Sequence, residues 1–553
     1  MSKIKIRALG GMGENGKNMY LVEVDDKIFI LDAGLIYPKV DLFGIDAVVP
    51  NIDYLIQNKE RIQGVFISHG HEDHIGALPY LLKNISVRVY ATPFTISLIE
   101  TYLKNEGLNL KNFKLFKVSP NKTLKFNDVK ISFYNVNHAL PDAANIIIST
   151  KDGDIVYSTD FNFSKPLNEL YKISYEKLLE LSKSKVLAVM AESVGISDSN
   201  RTTTDALFEV EIYNSFAKNN NKIFIAAYST DVSRIQKIIN TANLLGKKVA
   251  FFSKQTELIV NVALKTNNLS IPEDTLVKLD GTEYDNLVVI VVGNHTEPYY
   301  LISRIIEGKY KNIKISSDDL IIGLSDAVSG TEKYVLHVLD EIYRNDINFK
   351  QIENKILRTS HATSDDLIQL YSISKPKYYI PIKGEVRHLF KHYTLLNELK
   401  IPQEKVLNLQ DGNILVFANG NLISVENHEL KEVYVDGSLT GAVNEDIVSE
   451  RDALANNGVI EIIVHIDSKT QKIIKDANII TKGLVINKFT EEYIDQMHQV
   501  IERLIKSYFL KKHFIVEDLE KAIVHEINKI VHKITKMHTT IIPIIIDLKN
   551  IKY

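Results

Sequence analysis

The chain has 553 residues, 45% of them hydrophobic, which is enough for roughly two to four globular domains that each bury a core. Its formal net charge of −3 excludes a broadly basic surface, so a nucleic-acid partner would have to bind in a local channel. With no cysteine, the chain has no disulfide and no thiolate metal site, and its metal ligands can only be His, Asp or Glu.

Neither the N-terminus nor any later stretch is typical of a secreted or membrane protein. The opening residues, MSKIKIRALGG, lack the apolar core of a signal peptide, and no window approaches the about 18 uninterrupted apolar residues of a membrane span. The absence of cysteine also suits a reducing compartment. We therefore expect a soluble, cytoplasmic protein with no membrane partner.

Residues 1–201 are predicted to be rich in strands. MYLVEV and KIFILDAG alternate between apolar and polar residues and are joined by Asp25-Asp26, which predicts a hairpin. Further apolar runs follow at GVFIS, VRVYAT and VKISFYNV, and ANIIIST turns through Asp152-Gly153 into DIVYSTD.

The pattern of predicted strands and helices changes at residue 202. Up to residue 356, short buried strands such as KIFIAAY and NLVVIVVGN alternate with amphipathic helices such as SRIQKIINTANLL, a pattern that predicts parallel strands linked by helices. A strand, KYYIPIKG, and a helix follow within residues 357–425, and the polar residues 426–450 are predicted to be a linker. Residues 451–553 predict a last α/β unit with the strand VIEIIVHID, two long helices and a closing apolar run, TTIIPIIIDL.

A histidine-rich loop follows the buried run GVFIS. In SHGHEDH, His69 and His71 point the same way if the segment is extended, while Asp73 and His74 fall at the turn into a helix. One short loop could thus present ligands to two metal ions side by side. The alternative, a polar loop that happens to be rich in histidine, explains this spacing poorly.

Two more ligand candidates directly follow predicted strands, where α/β sheets present functional groups: His138 in VNHALPD and Asp160 in STDFNF. Taken alone, each is more simply explained as an ordinary loop residue. Near the start, GGMGENGKN matches the letters of a dinucleotide-binding fingerprint. A strand follows it instead of a helix, so tight turns beside the site are the better interpretation.

Together these motifs resemble the ribonuclease J family, in the β-CASP branch of the metallo-β-lactamase fold. The resemblance follows the family's order along nearly the whole chain, with GGMGENGKNMYLVE, LDAGLIYP, SHGHEDHIGALPYLL, NHALPDA, SGTEKYV, KPKYYIPIKGEVRHL, RDALANNGVI and IIPIIIDL. It implies an α/β fold in which a metallo-β-lactamase αββα sandwich, residues 1–201 and 357–425, is interrupted by a β-CASP domain, residues 202–356. A small C-terminal α/β domain, residues 451–553, supports dimerisation in the family.

The resemblance also implies a set of metal ligands. Six residues would hold zinc: His69, His71 and His138 at one ion, Asp73 and His74 at a second, and Asp160 between the two. Paired divalent ions suit phosphodiester hydrolysis because they activate water and neutralise charge on the phosphate. Manganese or magnesium could take the place of zinc.

Other residues are implied around the scissile phosphate. His361 in RTSHAT matches the family's β-CASP histidine, a proton donor or phosphate contact that would otherwise be taken for a core or surface histidine. Glu192 in MAESVG matches a supporting carboxylate that can fix an imidazole tautomer. The residues expected to contact RNA phosphates are Ser229, Thr230, Asp231, Thr359, Ser360, Ala362 and Thr363.

The chain departs from the family at the last metal ligand. Where the family has the histidine of a P-V-H-G-E motif, this chain has PIKGE, with Lys383. A protonated lysine has no lone pair for a metal, so the second ion loses a ligand unless His388 replaces it. Thr159, Asn162 and Ser360 also replace the family's usual glycine, lysine and glycine, which is typical of a partly degenerate second paralogue.

Two interpretations of Lys383 follow. In the first, its ammonium pairs with Asp73 or Asp160 and supplies part of the charge of the missing ion, which leaves one zinc ion. In the second, Lys383 binds an RNA phosphate while the remaining ligands keep both ions. We favour the first.

Three functions are compatible with these motifs. The first is a metal-dependent ribonuclease that removes nucleotides from the 5′ end of RNA and can also cut internally, in RNA maturation and decay. The second is a weakly active or inactive paralogue that acts as an RNA-binding scaffold, as a homodimer, as the partner subunit of an active paralogue or within an RNA-degradation assembly. The third, a small-molecule hydrolase of the glyoxalase type, is disfavoured because it has no use for residues 202–356.

Overall fold

The structure is a computed structural model that describes most of the chain. The described residues are 2–38, 44–120, 122–164, 169–197, 205–253, 257–282, 284, 286–294, 296–324, 331–353, 360–437, 439–484, 491–511 and 513–548. They form two compact units, one of Met1–Lys39 with Asp46–Val435 and one of Val40–Ile45 with Asp436–Tyr553. No described helix is both long enough and apolar enough to span a bilayer.

The first segment of the larger unit is rich in strands, as predicted. Its strands are β1 Lys3–Gly10, β2 Met19–Val24, β3 Lys27–Leu31, β4 Ala47–Val49, β5 Ile62–Phe66, β6 Arg88–Ala91, β7 Lys114–Lys117, β8 Thr123–Phe126, β9 Val129–Asn135, β10 Ala144–Thr150, β11 Gly153–Ser158 and β12 Val186–Glu192. Its helices are α1 Asp53–Gln57, α2 Glu72–Ile75, α3 Leu78–Asn84, α4 Pro93–Asn105 and α5 Tyr175–Lys183. The two predicted hairpins, β2 with β3 and β10 with β11, are both antiparallel pairs and are confirmed.

The middle segment forms a separate sheet. Its elements are α6 Asp205–Ala217, β13 Ile223–Tyr228, α7 Val232–Leu244, β14 Lys248–Phe252, α8 Glu257–Lys265, β15 Leu287–Gly293, α9 Glu297–Ile306, β16 Leu320–Gly323, α10 Glu332–Arg344 and β17 Asn348–Gln351. The strand order is β14-β15-β13-β16-β17, and every pair is parallel. The predicted parallel architecture is confirmed. Strands of a parallel sheet are uniformly apolar because helices cover both of its faces.

The third segment contributes strands that pair with those of the first segment. Its elements are α11 Ser364–Ser374, β18 Tyr378–Ile382, α12 Val386–Glu398, β19 Ile414–Ala418, β20 Asn421–Glu426 and β21 Val433–Asp436. Strand β18 lies parallel to β12, and β19 lies antiparallel to β1. Both sheets of the first segment are therefore completed by residues that follow the middle segment.

The resulting sandwich has four layers. One sheet has the order β20-β19-β1-β2-β3-β5-β6-β7 and the other β18-β12-β11-β10-β9-β8. Side chains of both sheets share one core, in which Phe66 of one meets Phe133 of the other. Apolar residues of α3 and α4 cover the first sheet, and those of α5, α11 and α12 cover the second. This is the predicted αββα arrangement.

The smaller unit has its own core. Its elements are β22 Leu439–Thr440, α13 Glu445–Asn457, β23 Val459–Asp467, β24 Lys472–Lys482, α14 Glu491–Phe509, α15 Val516–Thr535 and β25 Thr540–Asp547. Alternate residues of β23, such as Ile460 and Val464, are buried with apolar residues of α14 and α15. The predicted strand, two helices and closing strand are present. The segment 426–450, predicted to be a linker, contains β21, β22 and the start of α13, and its role as a linker stays a prediction.

Candidate metal centre

The histidine-rich loop and the other candidate residues meet at one edge of the sandwich. Strands β9, β11, β12 and β18 run in the same direction, and His138, Asp160, Glu192 and Lys383 lie at or just after their carboxyl ends. The loop after β5 of the facing sheet brings His69 to His74 to the same place. Residues far apart in sequence thus converge because parallel strands present their carboxyl ends together.

The backbone at this edge is unusual. Asp160 and Lys383 both adopt a left-handed conformation, with φ of 44° and 48°. Residues other than glycine seldom adopt this conformation, and lysine has no side-chain group that stabilises it locally. Such strain persists where the surrounding structure requires a side chain to point in one direction. Both side chains point into the centre.

The first ligand cluster consists of His69, His71, His138 and Asp160, which bring one ligand atom each within 4.8 Å of one another. The three Nε2 atoms and Asp160 Oδ2 are buried and, among the described residues, have no hydrogen-bond partner. Burial lowers the pKa of His71 to about 4 and that of His138 to about 3, and it holds the pKa of His69 well below the usual range. The imidazoles are therefore neutral, with free lone pairs.

Hydrogen bonds at the Nδ1 atoms orient two of these imidazoles. His138 donates from Nδ1 to the carbonyl oxygen of Ser360 at 3.0 Å. His69 Nδ1 lies 2.9 Å from Ser68 Oγ, whose hydroxyl donates to Asp32 at 2.8 Å and therefore accepts from His69. Protons on both Nδ1 atoms leave both Nε2 lone pairs facing the cluster. Neutral imidazoles with one carboxylate form a donor set that suits zinc and other divalent transition metals, so these residues fit a metal ion.

The supporting residue Asp32 was not predicted from the sequence. It is fully buried after β3 and accepts hydrogen bonds from the Ser68 amide, from His74 Nδ1 and from the Tyr157 hydroxyl, each at 2.7 Å. The sequence LDAG could have indicated Asp32, because this residue follows a strand just as Asp160 does. A second missed residue is Asn18, whose amide donates to Asp73 Oδ2 at 3.0 Å.

Asp32→Asn is expected to weaken metal binding about ten- to a hundredfold, because it disturbs the hydrogen bonds that orient two imidazoles. Metal affinity can be measured by competition with a chromophoric chelator. Asp26→Asn, at an exposed hairpin turn, is the matched control and should bind metal like the wild type. Equal affinity in both variants would show that Asp32 does not support the centre.

The second cluster contains Asp73, His74 and Asp160, and Lys383 is buried among them. Lys383 Nζ lies 3.0 Å from Asp73 Oδ2 and 2.8 Å from His74 Nε2, and it donates to Asp160 Oδ1. Burial alone would lower the pKa of Lys383, but the carboxylates of Asp160 and Asp73 outweigh it and raise the pKa above its usual value. The amine is therefore a charged ammonium that contacts every member of the cluster.

His388 does not take the place of the missing ligand. Its Nδ1 accepts a hydrogen bond from the Glu385 amide at 3.2 Å, and Arg387 Nε lies 3.3 Å from its Nε2. The contact with Glu385 belongs to a capping box at the start of α12. The replacement considered from the sequence is therefore not supported.

His361 and Glu192 form a pair beside the first cluster. His361 Nδ1 lies 2.7 Å from Glu192 Oε2 and 3.7 Å from Asp160 Oδ2. Glu192 Oε1 accepts from the amides of Phe161 and Ala362, each at 2.9 Å, which fixes the carboxylate. Burial lowers the pKa of His361, but Glu192 and Asp160 outweigh it, so the pKa is raised. The His361 side chain keeps 25% of its surface exposed, so it is accessible to solvent.

Glu192→Gln is expected to lower the pKa of His361 by about one unit, because it removes the neighbouring negative charge. If protonated His361 donates to the leaving oxygen, the rate falls as pH rises through this pKa. The alkaline limb of kcat against pH should therefore move to lower pH in the variant. Glu176→Gln, on α5, serves as the control, and identical limbs in both would rule out this role for the pair.

Several of the residues expected to contact RNA have hydrogen bonds of their own. Ser229 Oγ, just after β13, donates to Asn294 at 2.7 Å, and Asp231 caps α7 by accepting from the Arg234 amide at 3.1 Å. Thr230 lies between them.

In the second expected segment, the Thr363 hydroxyl is engaged in the capping box of α11 with Asp366. The Ala362 amide is bound to Glu192, and the Ser360 carbonyl oxygen is bound to His138. Thr359 lies outside the described residues. Contact of these residues with RNA stays a prediction.

Comparison with known proteins finds three family matches along the chain. The beta-CASP domain of ribonuclease J matches residues 220–342, the ribonuclease J C-terminal domain matches 446–548, and the metallo-beta-lactamase superfamily matches 12–189. A crystal structure of a protein of unknown function from Enterococcus faecalis V583 covers 75% of this chain and 100% of its own, with a TM-score of 0.53 and 18% identity. That likeness concerns the fold alone.

Sequence relatives extend the match to the full length. Proteins named Ribonuclease J 2 from Staphylococcus epidermidis RP62A and Staphylococcus aureus MRSA252 are each 30% identical to the chain, over 99% of this chain and 98% of their own. The metallo-β-lactamase fold implies binding of a divalent metal, for which the clusters above offer ligands. The chain belongs to the ribonuclease J family of metal-dependent nucleases.

Proposed function

We propose that the chain is a ribonuclease that works with one divalent ion, held by His69, His71, His138 and Asp160, and with the Lys383 ammonium in place of a second ion. The observation that carries the proposal is the contrast between the two clusters. In the described part of the chain, the ligand atoms of the first are buried and make no hydrogen bond, whereas those of the second all contact Lys383. A buried ammonium between two carboxylates is held by charge-assisted hydrogen bonds and repels a second cation.

The residues of the centre have different roles in the hydrolysis. The residues of the first cluster would hold a divalent ion, which would supply Lewis acidity and lower the pKa of a bound water. Lys383 provides a fixed positive charge beside Asp160, where charge develops on the phosphate. His361, oriented by Glu192, donates a proton to the leaving oxygen. We assign zinc as the ion, with manganese or magnesium as substitutes.

The substrate is RNA, degraded from its 5′ end with internal cleavage as a second mode, in cytoplasmic RNA maturation and decay. The β-CASP sheet lies next to the centre, which supports a cleft roofed by a second domain. Phe94, Leu98 and Leu140 of the sandwich pack in the core of that sheet. The Ser233 amide at the start of α7 donates to the Ala139 carbonyl oxygen at 3.3 Å, one residue from His138.

A second candidate function is that of an RNA-binding scaffold or partner subunit with little activity, as a homodimer or with an active paralogue. Lys383 is also the observation that favours it, because a site with one ion loses part of the charge that two ions would supply.

The test is digestion of 5′-monophosphorylated RNA by the purified chain with zinc or manganese, and with a chelator as the control. The proposal expects metal-dependent release of nucleotides from the 5′ end. RNA binding without digestion would overturn the enzymatic function and support the scaffold.

A further inference from the structure

Glu72 lies between two ligands in SHGHEDH but belongs to neither cluster. Its Oε2 accepts a hydrogen bond from the Tyr37 hydroxyl at 2.8 Å, and its Oε1 accepts one from the Asn294 amide at 3.3 Å. Asn294 lies 222 positions further along the chain, just after β15 of the β-CASP sheet. Glu72 therefore connects the metal loop of the sandwich to the β-CASP domain.

Asn294 extends this connection to a residue expected to contact RNA. Its Oδ1 accepts a hydrogen bond from Ser229 Oγ at 2.7 Å, while its backbone amide lies 3.3 Å from Glu297 Oε2. Because a carboxylate can only accept hydrogen bonds, the contact with Glu72 fixes which way the Asn294 amide points. The contacts run in one direction, from the Ser229 hydroxyl to Asn294 and from the Asn294 amide to Glu72.

We propose that Glu72 is a positioning residue, and that the relay Glu72–Asn294–Ser229 sets the distance between the metal centre and the RNA-phosphate contact at Ser229. The inference rests on the proposed ribonuclease function. The relay joins the loop that carries His71 and Asp73 to the loop expected to hold the substrate, so a displacement at one end moves the other. A shift of about 1 Å between a substrate contact and a reactive centre can lower activity about a hundredfold.

The relay predicts that the effects of substitutions at Glu72 and Asn294 depend on each other. Asn294→Asp places a second carboxylate against that of Glu72, so the two loops should repel each other. Glu72→Gln alone should be mild, because the glutamine can accept from Asn294 and donate to the Tyr37 oxygen. The double variant Glu72→Gln/Asn294→Asp restores the contact between these two positions with donor and acceptor exchanged, since the new amide donates to the new carboxylate. Ser229 still donates to position 294.

The experiment measures KM and kcat on 5′-monophosphorylated RNA for the wild type, both single variants and the double variant. Binding of the same RNA is measured by fluorescence anisotropy with a chelator present, and folding by thermal unfolding. We expect Asn294→Asp to raise KM and the RNA Kd about tenfold, with kcat changed less, and the double variant to return to the level of Glu72→Gln, as coupled neighbours do. A purely structural role would change the melting temperature without this reversal.

The outcomes separate the two proposals. If the wild type binds RNA without cleaving it, the ribonuclease function fails and the relay is judged from Kd alone. If the wild type cleaves RNA but Asn294→Asp behaves like it, or the double variant is no better than Asn294→Asp, the relay is overturned. If the wild type neither binds nor cleaves RNA, both proposals are overturned.

Discussion

His71→Ala is expected to abolish metal-dependent hydrolysis of RNA, with a loss of about a thousandfold or more, because the metal contributes several kcal/mol to stabilising the transition state. His71 Nε2 is buried beside the ligand atoms of His69 and His138 and, in the described part of the chain, has no partner of its own. Burial keeps the imidazole neutral, with a pKa of about 4. Its removal leaves a metal ion in the first cluster with two imidazoles and one carboxylate.

The measurement is the initial rate of nucleotide release at saturating zinc or manganese. His428→Ala removes an exposed histidine and is the matched control, which should keep the rate of the wild type. Thermal unfolding of both variants checks that they are folded. Undiminished hydrolysis in folded His71→Ala would place the metal elsewhere.

Lys383→His should raise the ion content from one to two per chain and the rate of hydrolysis about tenfold or more, since a second ion in place of the ammonium adds a net charge stabilisation worth about 1.4 kcal/mol or more. The change removes the ammonium from between Asp73 and Asp160 and offers a neutral lone pair instead. Histidine also tolerates the left-handed backbone at this position, where φ is 48°, better than most residues do.

Lys383→Arg is the control for this change, because it keeps the positive charge without offering a lone pair. It should stay at one ion per chain and show no increase in rate. Elemental analysis of the desalted variants, combined with rates on the same RNA, gives both quantities. An unchanged ion content in Lys383→His would mean that Lys383 is not what excludes the second ion.

Much of the metal centre could be expected from local sequence. The spacing of His69, His71, Asp73 and His74 after an apolar run is a short-range pattern, and His138 and Asp160 each follow a strand. The uniformly apolar runs of the middle segment likewise predicted a parallel sheet correctly. Such signals lie within a few residues of each other, where strand geometry alone decides which side chains are neighbours.

Other features depend on contacts between distant parts of the chain. Lys383 left two interpretations open, because only the position of its amine among Asp73, His74 and Asp160 distinguishes them. The contact between Glu72 and Asn294 has no local pattern at all. Strand β24 was missed for another reason, since most of its residues are exposed and KIIKDANIITK lacks a clear apolar face.

The number of metal ions per chain distinguishes a centre with one ion from a centre with two. The purified wild-type chain would be loaded with zinc, treated mildly with a chelator to remove loosely bound ions, desalted and subjected to elemental analysis. With the Lys383 ammonium in contact with all three residues of the second cluster, we predict one ion per chain. Two ions per chain would show that Lys383 does not take the place of the second metal.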